Sequence, residues 1–297
     1  MTRTRSATLS ASRISSRRPV VLKFGGELLE DPGQLRAAAS VVASAATPLA
    51  IVHGGGREID AALRAAGIEK RQVDGLRITD AATLDIVVSV LAGSVNTKFV
   101  AALGAAGVRA VGLTGVDGQC GLSRRAPAYS SVDGRLVDLG YVGVPSDRAD
   151  VSLLRTLIGN GLVPVMACIG VDDHGQRLNV NADTLAAHIA AKLAAARLVI
   201  AGTTPGVLAE DGATMTMLDA GAMADIIASR TATAGMIAKL RACEHAVASG
   251  VGEVLIVDGR DGAALSAAIE GTLSASATQI VARLKPRAAA ALRSASV

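Results

Sequence analysis

The chain predicts an α/β fold in which a mostly parallel sheet is covered by helices on both faces. Three observations lead there. Short apolar runs end abruptly at glycine, as in Val20–Phe24 before Gly25-Gly26 and Ile51–His53 before Gly54-Gly55-Gly56. Strand-like and helix-like patterns then alternate with little interruption, which is the pattern of right-handed βαβ crossovers. Finally, half of the residues are hydrophobic, as strands buried on both faces require.

The elements follow in order. Val20–Phe24 is a strand, and Asp31-Pro32 opens a helix to about Ala45, with proline tolerated in its first turn. Ala50–His53 is a strand, Arg57–Ala66 a helix stopped by Gly67, and Ala81–Ala106 one long or broken helix ending at Gly107. Ala110–Leu113 is a strand. Asp133-Gly134, between short β-like runs, marks a hairpin within Ser123–Val142. Ser152–Asn160 is a helix and Val163–Ile169 a strand, then Asp183–Ala196 is an alanine-rich helix leading to the strand Leu198–Ala201. Asp219–Ser229 and Gly235–Ser249 are helices, Val254–Asp258 a strand, Ala263–Glu270 a helix, and Gln279–Ala282 a last strand.

At 297 residues the chain can bury a large core as one domain or two closely packed lobes. No uninterrupted apolar run reaches the roughly 18 residues that span a bilayer. The small basic surplus, 30 against 26, is scattered through helices and does not point to nucleic acid. Cys120, Cys168 and Cys243 lie far apart without CxxC spacing. That argues against a disulfide framework or a zinc site and for a reducing cytoplasm. Residues 1–18 are rich in arginine and serine and lack acidic residues. They read as a disordered tail, a transit-like peptide or an arm that docks on another subunit.

Glycines at the carboxyl end of a buried strand let the backbone approach an anion and aim N–H groups at it. Two such loops, one preceded by Lys23, suit a polyphosphate and an anionic acceptor, so the residues point to phosphoryl transfer. No Gly-Lys dipeptide occurs, which excludes a Walker-type loop, and Gly54-Gly55-Gly56 lacks the spaced third glycine of a dinucleotide fingerprint.

Five segments in order carry a resemblance: Lys23-Phe24-Gly25-Gly26, His53-Gly54-Gly55-Gly56, Gly75-Leu76-Arg77-Ile78-Thr79, Asn179-Val180-Asn181-Ala182-Asp183 and Gly235-Met236-Ile237-Ala238-Lys239. Over roughly residues 19–282 the chain resembles the amino acid kinase family, and within it the branch that phosphorylates N-acetyl-L-glutamate. The resemblance implies a three-layer αβα sandwich. An acceptor-binding lobe (about 19–193) would precede a nucleotide-binding lobe (about 194–297), with a lid expected near Tyr129 and Tyr141. It further implies ATP as co-substrate, with Mg2+ held mainly by its phosphates and no protein metal site. The acceptor carboxylate is ionised at neutral pH, so no general base is needed and the chemistry is electrostatic.

By resemblance, Lys23 and Lys239 stabilise the transition state and Asp183 orients both. Gly55, Gly56, Arg77 and Asn179 hold the acceptor, Arg77 gripping its α-carboxylate with a planar fork. Gly25, Gly26, Thr203, Gly206, Val207, Leu208 and Thr233 lie on the nucleotide side, and Gly25, Gly26 and Gly55 supply N–H groups. Read without the resemblance, Thr79 could cap the following helix, and Asn181 or Asp183 could cap the next.

One departure is plain. Thr203 stands where relatives commonly carry aspartate, in Ala201-Gly202-Thr203-Thr204-Pro205-Gly206. That keeps open a kinase-fold regulatory protein without turnover, beside a sister acylamino-acid kinase. The resemblance also implies a cytoplasmic homodimer or higher homo-oligomer, with regulation by arginine or a PII-type protein.

Overall fold

The computed structural model describes residues 17–131, 133–209, 211–228 and 234–282. Expectations about residues 1–16 and Thr233 lie outside the described residues. Eight strands form the central sheet: β1 (Val20–Phe24), β2 (Leu49–His53), β3 (Ala110–Thr114), β4 (Val163–Ala167), β5 (Arg197–Gly202), β6 (Met217–Leu218), β7 (Glu253–Asp258) and β8 (Ala277–Ile280). Their spatial order is β6-β8-β7-β5-β1-β2-β4-β3. All pairings are parallel except β7 with β8. β1 is central and buried at every position, which its unbroken apolar run foretells.

The helices are α1 (Glu27–Glu30), α2 (Pro32–Ser44), α3 (Gly56–Ala65), α4 (Ala81–Val88), α5 (Asn96–Ala105), α6 (Ser152–Gly159), α7 (Ala182–Lys192), α8 (Ala220–Ala228), α9 (Ala234–Ala248) and α10 (Gly262–Glu270). α7 and α9 pack together on one face of the sheet, and α2, α5 and α10 on the other. This is the three-layer sandwich. Phe24 of β1 meets Phe99 of α5 edge to face, ring centroids 5.3 Å apart, a favoured aromatic geometry.

α4 and α5 are joined by a π-helical stretch, Ser89–Val95, so the expected long helix is continuous but rewound at its middle. By length and composition alone Ala81–Ala105 could cross a membrane. It instead packs on α2, α3, β3 and β4, with Phe99 and Leu103 fully buried.

A second sheet, Ile169–Val171, Arg177–Val180, Val142–Pro145 and Ser123–Arg125 in that order, sits beside β4. Its strand Arg177–Val180 carries Asn179 and is not evident in the sequence, because polar Arg177 and Asn179 interrupt the apolar signal. The hairpin around Asp133-Gly134 forms as expected, pairing Tyr129–Ser130 with Leu136–Val137 and placing Gly134 at φ +84°.

Candidate active site

The candidate residues converge at the carboxyl ends of β1, β2 and β5, where ligands bind in open α/β sheets. The chain runs from β1 to β2 on one side and later returns to lay β5 on the other. The gap between those two connections is a topological switch point.

Lys23, near the end of β1, turns its side chain to Asp183 in the first turn of α7, and the ion pair measures 2.9 Å. Lys239 of α9 reaches the same carboxylate oxygen at 3.9 Å. The cap of α7 is Asn181, whose side chain accepts from the Thr184 N–H at 3.0 Å. Asp183 is thereby left to the lysines, so the two roles that the sequence could not separate are divided between two residues. Lys23 and Asp183 are each 7% exposed, and burial opposes charge on all three groups. For Asp183 the two lysines outweigh burial and hold its carboxyl below the usual range. For Lys23 burial is likewise overcome, by the Asp183 carboxylate, and its ammonium is held above the usual value. Lys239 goes the other way, lowered by burial and by Lys23 despite Asp183. Two cations thus share one anion, and the cluster carries net positive charge in a dry setting.

The glycine loops touch. A Cβ on Gly26 would fall 2.7 Å from Gly55 Cα and 3.1 Å from Gly56 N, so only glycine fits there. The expectation that Gly25 offers its N–H to an anion is corrected, because that N–H donates to Ala201 O at 3.0 Å and closes the β1–β5 ladder. Among the described residues, no backbone acceptor is recorded for the N–H groups of Gly26, Gly55 and Gly56. The π-helical stretch presses Leu91 and Val95 against Gly55, consistent with the frequent placement of π-turns at functional sites. Beneath the loop, fully buried His53 has Nδ1 3.0 Å from Gly54 O. Asn96 Nδ2 lies 3.0 Å from His53 Nε2 and donates to Val165 O at 2.9 Å. These contacts assign the Nδ1–H tautomer. Burial lowers the His53 pKa to about 4. These contacts give His53 a structural role beneath the loop.

Arg77 lies on a two-residue strand, Leu76–Arg77, paired with Gln72–Val73, rather than in open loop. Its Nη2 donates to Asp60 Oδ1 at 2.5 Å and to Gly56 O at 3.3 Å. Its Nη1 is buried and has no hydrogen-bond partner among the described residues. Asp60 Oδ2 is held by Lys70 Nζ at 2.8 Å. Sequence reasoning missed Asp60; its one signal is its place one helical turn after Gly56 on α3. Asn179 Nδ2 donates to Thr79 Oγ1 at 3.1 Å, and Thr79 donates to Arg77 O at 3.2 Å. Thr79 therefore does not cap α4. Asp80 does, accepting from Thr83 N at 2.9 Å. Arg77, Gly56, Thr79 and Asn179 are thus linked.

Among the residues expected on the nucleotide side, the carboxyl end of β5 adjoins the charged cluster, since Lys239 Nζ lies 3.7 Å from where a Cβ on Gly202 would sit. Thr203 faces a cavity of about 390 Å³, together with Glu27, Glu30, Asp31, Gln34, Arg57 and Arg260. Gly206 has φ +78°, and a Cβ there would meet Thr278 Oγ1 at 2.3 Å. The Val207 N–H donates to that hydroxyl at 2.8 Å, so the buried Val207 does not offer its N–H to a ligand. Leu208 is 44% exposed, on a hairpin with Thr214–Met215. Thr278, which organises this turn from the last strand, was not legible in the sequence.

The amino acid kinase family model matches residues 18–258. An acetylglutamate kinase from Novosphingobium aromaticivorans is 40% identical over 253 residues, covering 81% of this chain and 83% of the relative. One from Brachyspira hyodysenteriae is 40% identical over 247 residues, with the same coverage of 81% and 83%. Among solved structures, the N-acetylglutamate synthase of Neisseria gonorrhoeae, complexed with coenzyme A and N-acetyl-glutamate, superposes with a TM-score of 0.76 at 24% identity. That match covers 94% of this chain and 65% of the synthase, and at that identity it speaks to the fold alone. Fold, charged cluster, glycine cradle and sequence relatives agree: the chain belongs to the amino acid kinase family.

Proposed function

We propose that the chain transfers the γ-phosphoryl group of ATP to the side-chain carboxylate of N-acetyl-L-glutamate, giving N-acetyl-L-glutamyl 5-phosphate, a step of arginine biosynthesis. The observation that carries this reading is the Lys23–Asp183–Lys239 cluster beside the glycine cradle. It lies in a chain 40% identical to acetylglutamate kinases over most of its length.

A carboxylate oxygen forms a bond to the γ-phosphorus, the bond to the β–γ bridging oxygen breaks, and ADP leaves with that electron pair. No proton moves, because the acceptor carboxylate is already ionised at neutral pH. What the reaction needs is shielding between two anions and support for charge on the moving phosphoryl oxygens. Lys23, fixed by Asp183, suits the phosphoryl group, and Lys239, less tightly paired, suits the nucleotide phosphates. N–H groups of Gly26, Gly55 and Gly56 supply further positive ends, each such donor being worth ~10²–10³ in rate. Arg77 receives the α-carboxylate on its unpaired Nη1, and Asn179 faces the acylamino group.

A magnesium ion carried on the nucleotide would neutralise phosphate charge there. The reading also places the enzyme in the cytoplasm as a homo-oligomer open to arginine or PII-type control, which light scattering and an arginine titration test.

The deciding experiment is a hydroxylamine trap with ATP, magnesium and a panel of acylated and free acidic amino acids. Hydroxamate should form with N-acetyl-L-glutamate above all others. Folded protein that is silent with every acceptor would overturn the reading.

A further inference from the structure

Arg77 has a feature that anion capture alone does not require: a carboxylate already occupies one edge of its guanidinium. Asp60 Oδ1 takes Nη2 at 2.5 Å, while Asp60 Oδ2 is gripped by Lys70 at 2.8 Å. Burial pushes the Asp60 carboxyl up, yet Lys70 and Arg77 outweigh it and keep the group below its ordinary range. The three side chains differ in exposure. Arg77 is 14% exposed, Asp60 20% and Lys70 42%, so the chain of charges runs from the site outward to solvent.

From this arrangement we infer that Asp60 is a positioning residue for Arg77, and that Lys70 completes it as a charge balance. The inference rests on the proposed function and adds residues to its acceptor site. The argument has two parts. An arginine side chain is long and loses much rotamer freedom when fixed. Asp60, itself anchored to a helix that begins at the glycine cradle, fixes the guanidinium before any ligand arrives. Nη1 is then left buried without a partner among the described residues, next to Gly56, whose carbonyl Arg77 also holds. A donor kept dry and unpaired is one whose acceptor comes with the ligand.

The second part is charge. Arg77 with Asp60 alone would be neutral and a poor host for an anion. Lys70 restores a net charge of +1 to the triad. The acceptor's α-carboxylate therefore meets a cation that is both pre-aimed and uncompensated.

The test uses a substrate pair that differs in the α-carboxylate alone: N-acetyl-L-glutamate and 4-acetamidobutanoate. The wild-type ratio of their kcat/KM values reports the Arg77 contact. Asp60→Asn keeps shape and removes the charge that fixes Arg77. KM for N-acetyl-L-glutamate should rise about tenfold with kcat and KM for ATP little changed, and the ratio between the two substrates should shrink by a similar factor. Lys70→Met, at a more exposed position, should shrink it in the same direction by a few-fold. A purely structural role for Asp60 would depress both substrates alike and preserve the ratio, and that result overturns the inference, as would an unchanged ratio in Lys70→Met. If Asp60→Asn does not fold, Lys70→Met decides alone. Wild-type enzyme that phosphorylates N-acetyl-L-glutamate but does not discriminate the pair would refute the Arg77 assignment and this inference with it. No turnover with either substrate would instead refute the proposed function.

Discussion

Replacing Gly26 by alanine adds one carbon where two backbone loops meet. The new Cβ would lie 2.7 Å from Gly55 Cα, 3.0 Å from Gly55 N and 3.1 Å from Gly56 N. Ordinary carbon contacts are about 3.5–4.0 Å, so the loops must part by about 1 Å. No flexible side chain is there to yield. Backbone conformation is not the obstacle, because Gly26 has φ −56° and ψ −37°, which alanine prefers. The cost is therefore purely steric, about 1–3 kcal/mol by the usual scale of overpacking. A displacement of about 1 Å in a cradle for the reacting groups is worth roughly 10² in rate. Gly26→Ala should lower Tm by several degrees and kcat by about that factor in the hydroxylamine assay. Gly56→Ala is the control, since a Cβ there meets nothing within 4 Å. Its Tm should stay close to wild type, and any loss of turnover would report obstruction of ligand. The steric argument fails if Gly26→Ala keeps wild-type Tm and kcat, or if Gly56→Ala is equally destabilised.

Lys23→Ala and Lys239→Ala should each cut kcat by about 10² or more with little change in KM for the acceptor, the signature of groups acting in the transition state; half-maximal activity in Lys23→Ala would contradict the assignment. Arg77→Lys keeps the charge but cannot hold Asp60 and a substrate carboxylate together. KM for the acceptor should rise about tenfold, equivalent to ~1.4 kcal/mol, and calorimetry should find ATP binding unaltered. Stability should also fall with acid. Burial lowers His53 and His188 to about 4, against about 6.5 unfolded, so the unfolded chain binds protons first as pH drops. The stabilisation is intact above about pH 6.5 and is lost progressively towards pH 4, on the order of 3 kcal/mol for His53 alone. Urea midpoints at pH 7.5, 6 and 5 should decline in that order, His188→Gln should flatten part of the slope, and a flat wild-type profile would refute it.

Most strands of the central sheet were legible because each is an apolar run cut off by a turn residue, and the family's charged residues stand at their ends. Short, locally mixed strands were not. Arg177–Val180 reads as half polar, since Leu178 and Val180 are buried while Arg177 is exposed and Asn179 turns to Thr79. Gln72–Val73 and Leu76–Arg77 form a two-plus-two hairpin whose turn residue Asp74 adopts φ +45°, below the length at which periodicity speaks. The sequence placed Lys23, Asp183 and Lys239 by motif, and the structure adds their distances. It could not reveal that Gly25 and Val207 spend their N–H groups inside the fold, nor that Asp60 and Thr278 support the site. Those are partnerships between residues 17, 71 and 176 positions apart, set by tertiary packing.

The proposed division into an acceptor half and a nucleotide half is one of chemistry more than of mechanics. β1 is hydrogen-bonded along its whole length to β2 on one side and β5 on the other, so one ladder runs unbroken through both halves. A chain cut near Leu193 would leave β5 with a bare edge whose Leu198, Val199 and Ile200 are now fully buried, and such an edge invites aggregation. Neither piece would be a module that could be borrowed or recombined with its sheet intact. The floor that carries Lys23 is therefore one continuous ladder shared by both halves.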